Sequence, residues 1–253
     1  MNITLIGSGN VATVLGRRFV RSGHHIVQVL SPRHAKALAH ELGAEPIDNA
    51  EQLQPAELYL IAASDTAITG LAQTLRLQNA LVAHTAGSLP KNILSDVSSR
   101  YGVLYPLQSI RKEVEPSEIP LLIDGNTQDV VEKLETLAQT ITTTVSRTTD
   151  QDRLFFHIGG VVVNNFPNYL YALTELYLQD KGLDWRMLLP LMTETVARLY
   201  TESPTQMQTG PAIRGDEATL DTHKKLLEGY PELQGFYERF SVEIRHSLAI
   251  SRR

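Results

Sequence analysis

The chain has no cysteine, which excludes disulfides, thiolate-held zinc or iron–sulfur centres and cysteine nucleophiles. It has no excess of positive charge either. Its 23 Lys and Arg are scattered among 28 Asp and Glu, for a net charge of -5, so there is no basic face to neutralise the phosphates of a nucleic acid. No apolar run approaches the roughly 20 residues of a membrane span. The start, Met1-Asn2-Ile3-Thr4-Leu5-Ile6, carries no basic region of the kind that opens a secretory signal. These absences predict a soluble, unprocessed, cytoplasmic protein without nucleic-acid or membrane partners. What is present is ordinary for a globular protein, 42% hydrophobic and 20% charged over 253 residues, which is enough chain for two modest domains.

Up to about residue 147, short β-rich runs alternate with stretches of helical period, the pattern of an α/β domain with a parallel sheet. The expected strands are Asn2–Ile6, Ile26–Leu30, Glu57–Ala62, Ala80–His84, Gly102–Tyr105, Pro120–Ile123 and Thr142–Val145. Between them Val11, Leu15 and Phe19 recur at helical spacing, as do Ala35, Leu38, Ala39 and Leu42, and Ile68, Leu71, Ala72 and Leu75. After Thr148-Thr149-Asp150 the strand signal stops. Long helical stretches follow, with Thr149 or Asp150 as a cap and with Pro167 and Pro190 expected to kink a helix or mark its end. The expected organisation is a doubly wound, mainly parallel sheet over residues 1–147 and an all-α domain over residues 148–253.

Leu5-Ile6-Gly7-Ser8-Gly9-Asn10-Val11-Ala12 places G-x-G-x-x-A between the first strand and the first helix. Gly7 permits the tight turn, Gly9 lets a pyrophosphate approach the backbone, and Ala12 lets the helix sit close to the strand. Ser8, Asn10 and Val11 contribute the amides that open the helix, where an anion is favoured. A glycine turn merely joining two elements is the plainer alternative. Sites that select NAD place an acid about 20 residues further on. Here Leu30-Ser31-Pro32-Arg33 stands at that place, so Ser31 and Arg33 point to the 2′-phosphate of NADP(H), unless Arg33 is only an exposed residue at a helix start.

In an open α/β sheet the ligand lies beyond the carboxyl ends of the strands. Ala63-Ser64-Asp65, Thr85-Ala86-Gly87-Ser88 and Tyr105-Pro106-Leu107-Gln108-Ser109 are therefore the next candidates. Small residues in the first two segments leave space for the nicotinamide ribose and ring, although Asp65 reads equally well as a helix cap.

Together with the glycine turn, His84-Thr85-Ala86-Gly87-Ser88, Tyr105-Pro106-Leu107-Gln108-Ser109, Gly210-Pro211-Ala212-Ile213-Arg214-Gly215-Asp216 and the downstream His223 resemble the Rossmann-like proteins that carry a C-terminal DUF2520 domain. These are relatives of pyrroline-5-carboxylate reductase, of F420-dependent NADP reductases and of 6-phosphogluconate dehydrogenase-like enzymes. The resemblance spans nearly the whole chain. It implies an NADP-dependent oxidoreductase whose helical C-terminal domain dimerises and completes the active-site cleft, and it supplies no substrate. The chain departs from the pattern at Tyr105, where relatives often have His, and at Arg153, where they often have Lys. A guanidinium can bind or polarise a substrate but does not act as a general base.

With Arg153 unsuited to proton transfer, His157 is the leading proton donor, because an imidazole titrates near neutrality. A half-buried structural histidine is the alternative. Asn164 and Asn165 follow at i+7 and i+8, so one of them should share the face of His157, and Asn165 matches the place where related dehydrogenases orient substrate. Arg214 offers a guanidinium for a carboxylate or phosphate, or else anchors its loop to Asp216, which should cap the helix starting at Glu217. No metal site is expected. The reading is hydride transfer between NADP(H) and a small-molecule C=O or C=N substrate held between the two domains. A non-catalytic NADP(H)-binding sensor or assembly protein would keep the glycine turn without needing a proton donor. The stretch from about Leu154 to Leu178 is apolar on most sides, which predicts a homodimer built from the helical half.

Overall fold

The computed structural model describes residues 1–251, with side chains as far as His246. The chain divides into two compact units, Met1–Val163 and the residues from Asn164 on. Eight strands form one sheet in the first unit: β1 Asn2–Ile6, β2 His25–Leu30, β3 Glu45–Ile47, β4 Leu58–Ile61, β5 Leu81–His84, β6 Arg100–Pro106, β7 Leu121–Gly125 and β8 Val145–Arg147. Their order is β3-β2-β1-β4-β5-β6-β7-β8. All neighbours are parallel except β6 and β7, which pair antiparallel with Tyr105 opposite Leu122. The strand order reverses direction between β1 and β4, the place where a doubly wound sheet opens a crevice at its carboxyl edge.

The strands are buried on both faces, so their sequences run almost continuously apolar, as parallel strands do. Pleating sends Leu58 and Leu60 to one face and Tyr59 and Ile61 to the other. The first face packs on α1 Asn10–Arg21 and α2 Ala35–Leu42 through Leu15, Phe19, Leu38 and Leu42, and on α4 Gln128–Gln139 through Val130 and Leu134. The second packs on α3 Asp65–Thr74 through Ile68 and Ala72, and on Leu94 and Val97. The helical stripes expected from spacing are these buried faces, with Val11 and Leu71 only partly covered.

Two strands differ from expectation. β3 is three residues long, contains Pro46 and lies at the sheet edge, where a missing N–H is tolerated, so it carries no readable β run. The last strand lies at Val145–Arg147 rather than Thr142–Val145. The Thr142 hydroxyl is engaged by Glu118, and the Thr144 amide also turns to that carboxylate, so the preceding segment is held as a loop.

Thr149 caps α5 Asp150–Gly160 in a reciprocal capping box with Asp152. A π-helical turn, Val161–Asn165, comes next in the chain, and the division between the units falls within it. The second unit contains α6 Phe166–Asp180, α7 Leu189–Arg198, α8 Pro211–Arg214, α9 Glu217–Leu226 and α10 Pro231–Ser251. Pro190 lies in the first turn of α7, and Pro167 lies in the first turn of α6, which follows the π turn without a break in helical backbone. Asp216 caps α9 by accepting the Thr219 amide. Among the described residues no helix is long and apolar enough to cross a membrane.

Candidate active site

The glycine turn is built as its residue types require. Gly7 has φ +125, and a Cβ there would lie 2.1 Å from the carbonyl oxygen of Ala62 on the neighbouring strand, so only glycine fits. Gly9 has an ordinary φ of -80 and nothing within 4 Å of where its Cβ would be, so one side of its backbone is open. It is the N-cap of α1. No side chain caps that end and no acid occupies the first turn, so the helix presents its unpaired amides to whatever occupies the space beyond.

That space is a cavity of about 740 Å³. Gly7, Ser8, Gly9, Asn10 and Val11 line one side, Ser31 and Pro32 the end of β2, and Ala63 and Ser64 the end of β4. Ala12 lies beneath them, fully buried. The Ser8 hydroxyl donates to Ser31 Oγ at 2.8 Å and ties the turn to β2. Arg33 is exposed and lines an adjoining cavity of about 540 Å³ with His34 and Lys36. Ser31, Pro32 and Asp48 border both cavities. A cofactor with a pyrophosphate at the turn and a phosphorylated ribose beside β2 fits this donor set and volume.

Asp48, Asn49, Ala50 and Ile110 also line the larger cavity, and none was singled out from the sequence. The available signal was topological: Asp48 follows the carboxyl end of β3, but β3 itself was not recognised. A carboxylate therefore does stand in this region, contributed by β3 and not by the end of β2.

The second part of the site lies beyond β5 and β6. Ser64 is the N-cap of α3 and accepts the Ala67 amide, whereas Asp65 is the first helical residue and accepts the Ser88 hydroxyl, joining the two candidate loops. Thr85, Ala86 and Gly87 are buried and Ser88 is exposed. The Ala86 amide donates to His84 Nδ1 at 3.1 Å, so the imidazole fixes the start of this loop as an acceptor. Burial and the nearby Arg153 guanidinium push His84 down to about 4, well below the usual imidazole range, which keeps it neutral.

Arg153 is 1% exposed. Its Nη2 donates to the Leu89 carbonyl and to Asp150 at 2.5 and 2.7 Å, and Nη1 lies 3.8 Å from Asp124. Lys91 completes the group, 2.9 Å from Asp124 and 3.7 Å from Asp150. Burial alone would push Asp150 up, but its bonds to Arg153 and the Lys91 amide, with both cations beside it, hold it below the usual carboxylate range. So enclosed, Arg153 anchors the start of α5 to the β5 loop rather than meeting substrate.

One turn further along α5, His157 is half-buried, and its Nδ1 lies 3.0 Å from the Tyr105 hydroxyl on β6. The rings meet edge to face, with centroids 6.0 Å apart. Gly87 abuts both rings: a Cβ there would be 2.7 Å from His157 Nδ1 and 2.9 Å from Tyr105 Cζ. In the second unit Asn165 and Arg214 are exposed. The π turn Val161–Asn165 replaces the α-helical spacing between His157 and the two asparagines with a wider turn. Among the described residues Arg214 forms no ion pair with Asp216, whose carboxylate is taken by Thr219. His223 Nδ1 lies 2.8 Å from the Tyr237 hydroxyl. Among the described residues no group of three or more His, Asp or Glu is placed to hold a metal.

Fold, turn and cavity define a protein of the dinucleotide-binding Rossmann class. Residues 2–86 match the family model described as NADP oxidoreductase, coenzyme F420-dependent, and residues 119–244 match the domain of unknown function DUF2520. A crystal structure described as a "putative NADP oxidoreductase" from Bacteroides fragilis is 34% identical, with a TM-score of 0.90 over 97% of this chain and 98% of that one. The chain belongs to this family of Rossmann-like NADP oxidoreductases with a C-terminal DUF2520 domain. A Thermotoga maritima protein shares the fold at 20% identity, with a TM-score of 0.81 over 97% of this chain and 98% of that one. So does an imine reductase from Myxococcus stipitatus in complex with NADP+, at 14% identity and a TM-score of 0.61 over 99% of this chain and 95% of that one. No curated protein sequence matches the chain.

Proposed function

We propose that the protein is an NADP(H)-dependent reductase of a small molecule with a C=N or C=O bond. The observation that carries this reading is the roughly 740 Å³ cavity over the uncapped start of α1, walled by a Gly7 that cannot be replaced and a Gly9 that leaves the backbone open. When bound, the cofactor supplies hydride from its nicotinamide. Gly7, Ser8, Gly9, Asn10 and Val11 hold the pyrophosphate through backbone amides. Ser31 and Arg33 hold the 2′-phosphate, and Ala63, Ser64, Asp65, Thr85, Ala86, Gly87 and Ser88 border the nicotinamide end. His157 supplies the proton, while Asn165 and Arg214 of the helical part orient substrate. The NADP+-bound imine reductase of the same fold favours C=N among the two bond types. The proposed division of labour is cofactor binding by residues 1–147, and substrate binding with dimerisation by residues 148–253, in the cytoplasm.

The cofactor assignment is tested by calorimetry. NADPH binds more tightly than NADH, and Arg33→Ala removes most of that preference with little effect on NADH, because a charge-assisted bond to a phosphate is worth about 1.5–3 kcal/mol. Equal affinities in the unmutated protein would overturn it. Asp48, bordering both cavities, works against the 2′-phosphate, so Asp48→Asn widens the preference for NADPH.

The homodimer is a separate proposal, supported by the apolar side chains exposed along the helical part. Phe166, Tyr169 and Leu176 on α6, and Leu191 and Val196 on α7, are all open to solvent in the single chain. Light scattering at micromolar concentration gives twice the chain mass, and a monomer would refute the proposal.

A further inference from the structure

We propose that Tyr105 is the group that hands the proton to the substrate, and that His157 refills it through the bond between them. This rests on the reductase reading and assigns its proton route. Tyr105 stands at the carboxyl end of β6, the edge where a doubly wound sheet receives its ligand. Its hydroxyl is 3.0 Å from His157 Nδ1, a direct hydrogen-bond distance. The third member of the contact is Gly87, on the loop assigned to the nicotinamide end. Any side chain there would strike His157 Nδ1 and Tyr105 Cζ together, so the missing side chain is what lets both rings reach this loop.

The two ring nitrogens of His157 then have different tasks. With the imidazole neutral and Nδ1 accepting, the phenol points its proton at the histidine and has none for a substrate. With the imidazole protonated, Nδ1–H donates to the phenolic oxygen, and the phenolic O–H is free to point outward. NADPH, when bound, would supply hydride to the carbon of C=N, and the π pair would move onto nitrogen. The nitrogen takes the phenolic proton as the O–H bond breaks, and the phenolic oxygen takes the proton from Nδ1, leaving a neutral imidazole to be reprotonated from water. Charge balances at each transfer and no free phenolate accumulates. That matters here because burial holds the Tyr105 phenol above its ordinary pKa, an effect that Asp65 reinforces and Arg153 opposes.

The test uses the full chain, NADPH, 2-methyl-1-pyrroline as a C=N probe and pyruvate as a C=O probe, with calorimetry of NADPH to show that each variant is folded. Tyr105→Phe lowers kcat by roughly 10²–10⁴ with KM and NADPH affinity unchanged, the range for a lost general acid. His157→Gln costs less, because the phenol remains. The double variant is no slower than Tyr105→Phe, since both changes cut one proton route. Tyr105→Phe turning over near the unmutated rate, or a double variant slower than Tyr105→Phe, overturns the proposal and leaves the reductase reading standing. If the unmutated protein binds NADPH but turns over neither probe, both fall.

Discussion

Gly7→Ala lowers the stability of the N-terminal unit by about 4 kcal/mol, whereas Gly9→Ala leaves stability unchanged and weakens NADPH binding by tenfold or more. The first effect has two sources. A methyl group 2.1 Å from the Ala62 carbonyl oxygen forces two adjacent strands apart, and φ +125 is a conformation that L side chains rarely adopt. Backbone displacement in a packed interior costs about 1–3 kcal/mol and the φ strain a similar amount. Gly9 has neither problem, with φ -80 and open space, so alanine is accommodated in the free protein. The same open side is where a pyrophosphate meets the amides, and the added methyl occupies it. Amide hydrogen exchange in β1 and β4 separates the two, and it is the proper probe because the single tryptophan, Trp185, lies in the other unit. Gly7→Ala with unchanged protection of Ala62 would refute the steric argument, and Gly9→Ala binding NADPH normally would refute the functional one.

The second large effect is expected at Arg153. Arg153→Met removes the donor to the Leu89 carbonyl and one of the two cations beside Asp150, leaving that carboxylate to Lys91 alone. Breaking a buried pair by removing one partner costs about 3–5 kcal/mol. The pH dependence supplies the sharper test. His84 binds its proton at about 4 in the folded chain against 6.5 when unfolded. Between those values the unfolded chain carries more protons, so stability is full above pH 6.5 and falls as pH is lowered, by about 3 kcal/mol at pH 4. Burial is the main cause and Arg153 the second, so Arg153→Met makes this fall shallower. The depressed Asp150 carboxyl adds a loss below its unfolded pKa near 3.8, which the variant also reduces. Urea melts at about pH 7.5 and about pH 4.5 measure the first loss, and a further melt at about pH 3 measures the second. An equal acid loss in the variant would refute the coupling of Arg153 to His84.

What could be read from the sequence follows from how local the constraint is. The turn from Gly7 to Ala12 was legible because each position answers to backbone geometry within six residues, and the buried stripes of α1, α2 and α3 because helical spacing repeats. β3 was not legible, since three residues including Pro46 at an edge carry no alternation, and Asp48 was lost with it. Nor was the π turn, because Val161–Asn165 reads as ordinary helix. His157 was selected for its chemistry. The partner that gives it a task, Tyr105, lies 52 residues earlier, and only sheet topology brings them together. Arg153 was weighed as a substrate contact because no pattern in the sequence reveals that its guanidinium is enclosed by Asp124, Asp150 and Leu89.

The reversed direction of β7 governs where the histidine arrives. Gly125, at the end of β7, pairs with Gly102 of β6, so the chain has by then turned back three residues below Tyr105. β8 runs alongside β7, and Thr148 is still bonded to Ile123 when the sheet ends. Arg147, the last residue of β8, is level with Ile123 and Leu104, so α5, which begins three residues further on, sets out below the level of Tyr105. Held at its first turn by Asp150 and Arg153, it climbs about 10 Å in the seven residues to His157, the height that β6 gains between Gly102 and Tyr105. Had β7 been parallel, the chain would have left at the carboxyl edge and the same helix would have carried His157 away from Tyr105. One hairpin thus acts as a switchback, and the length of α5 up to His157 is the rise needed to regain the rim.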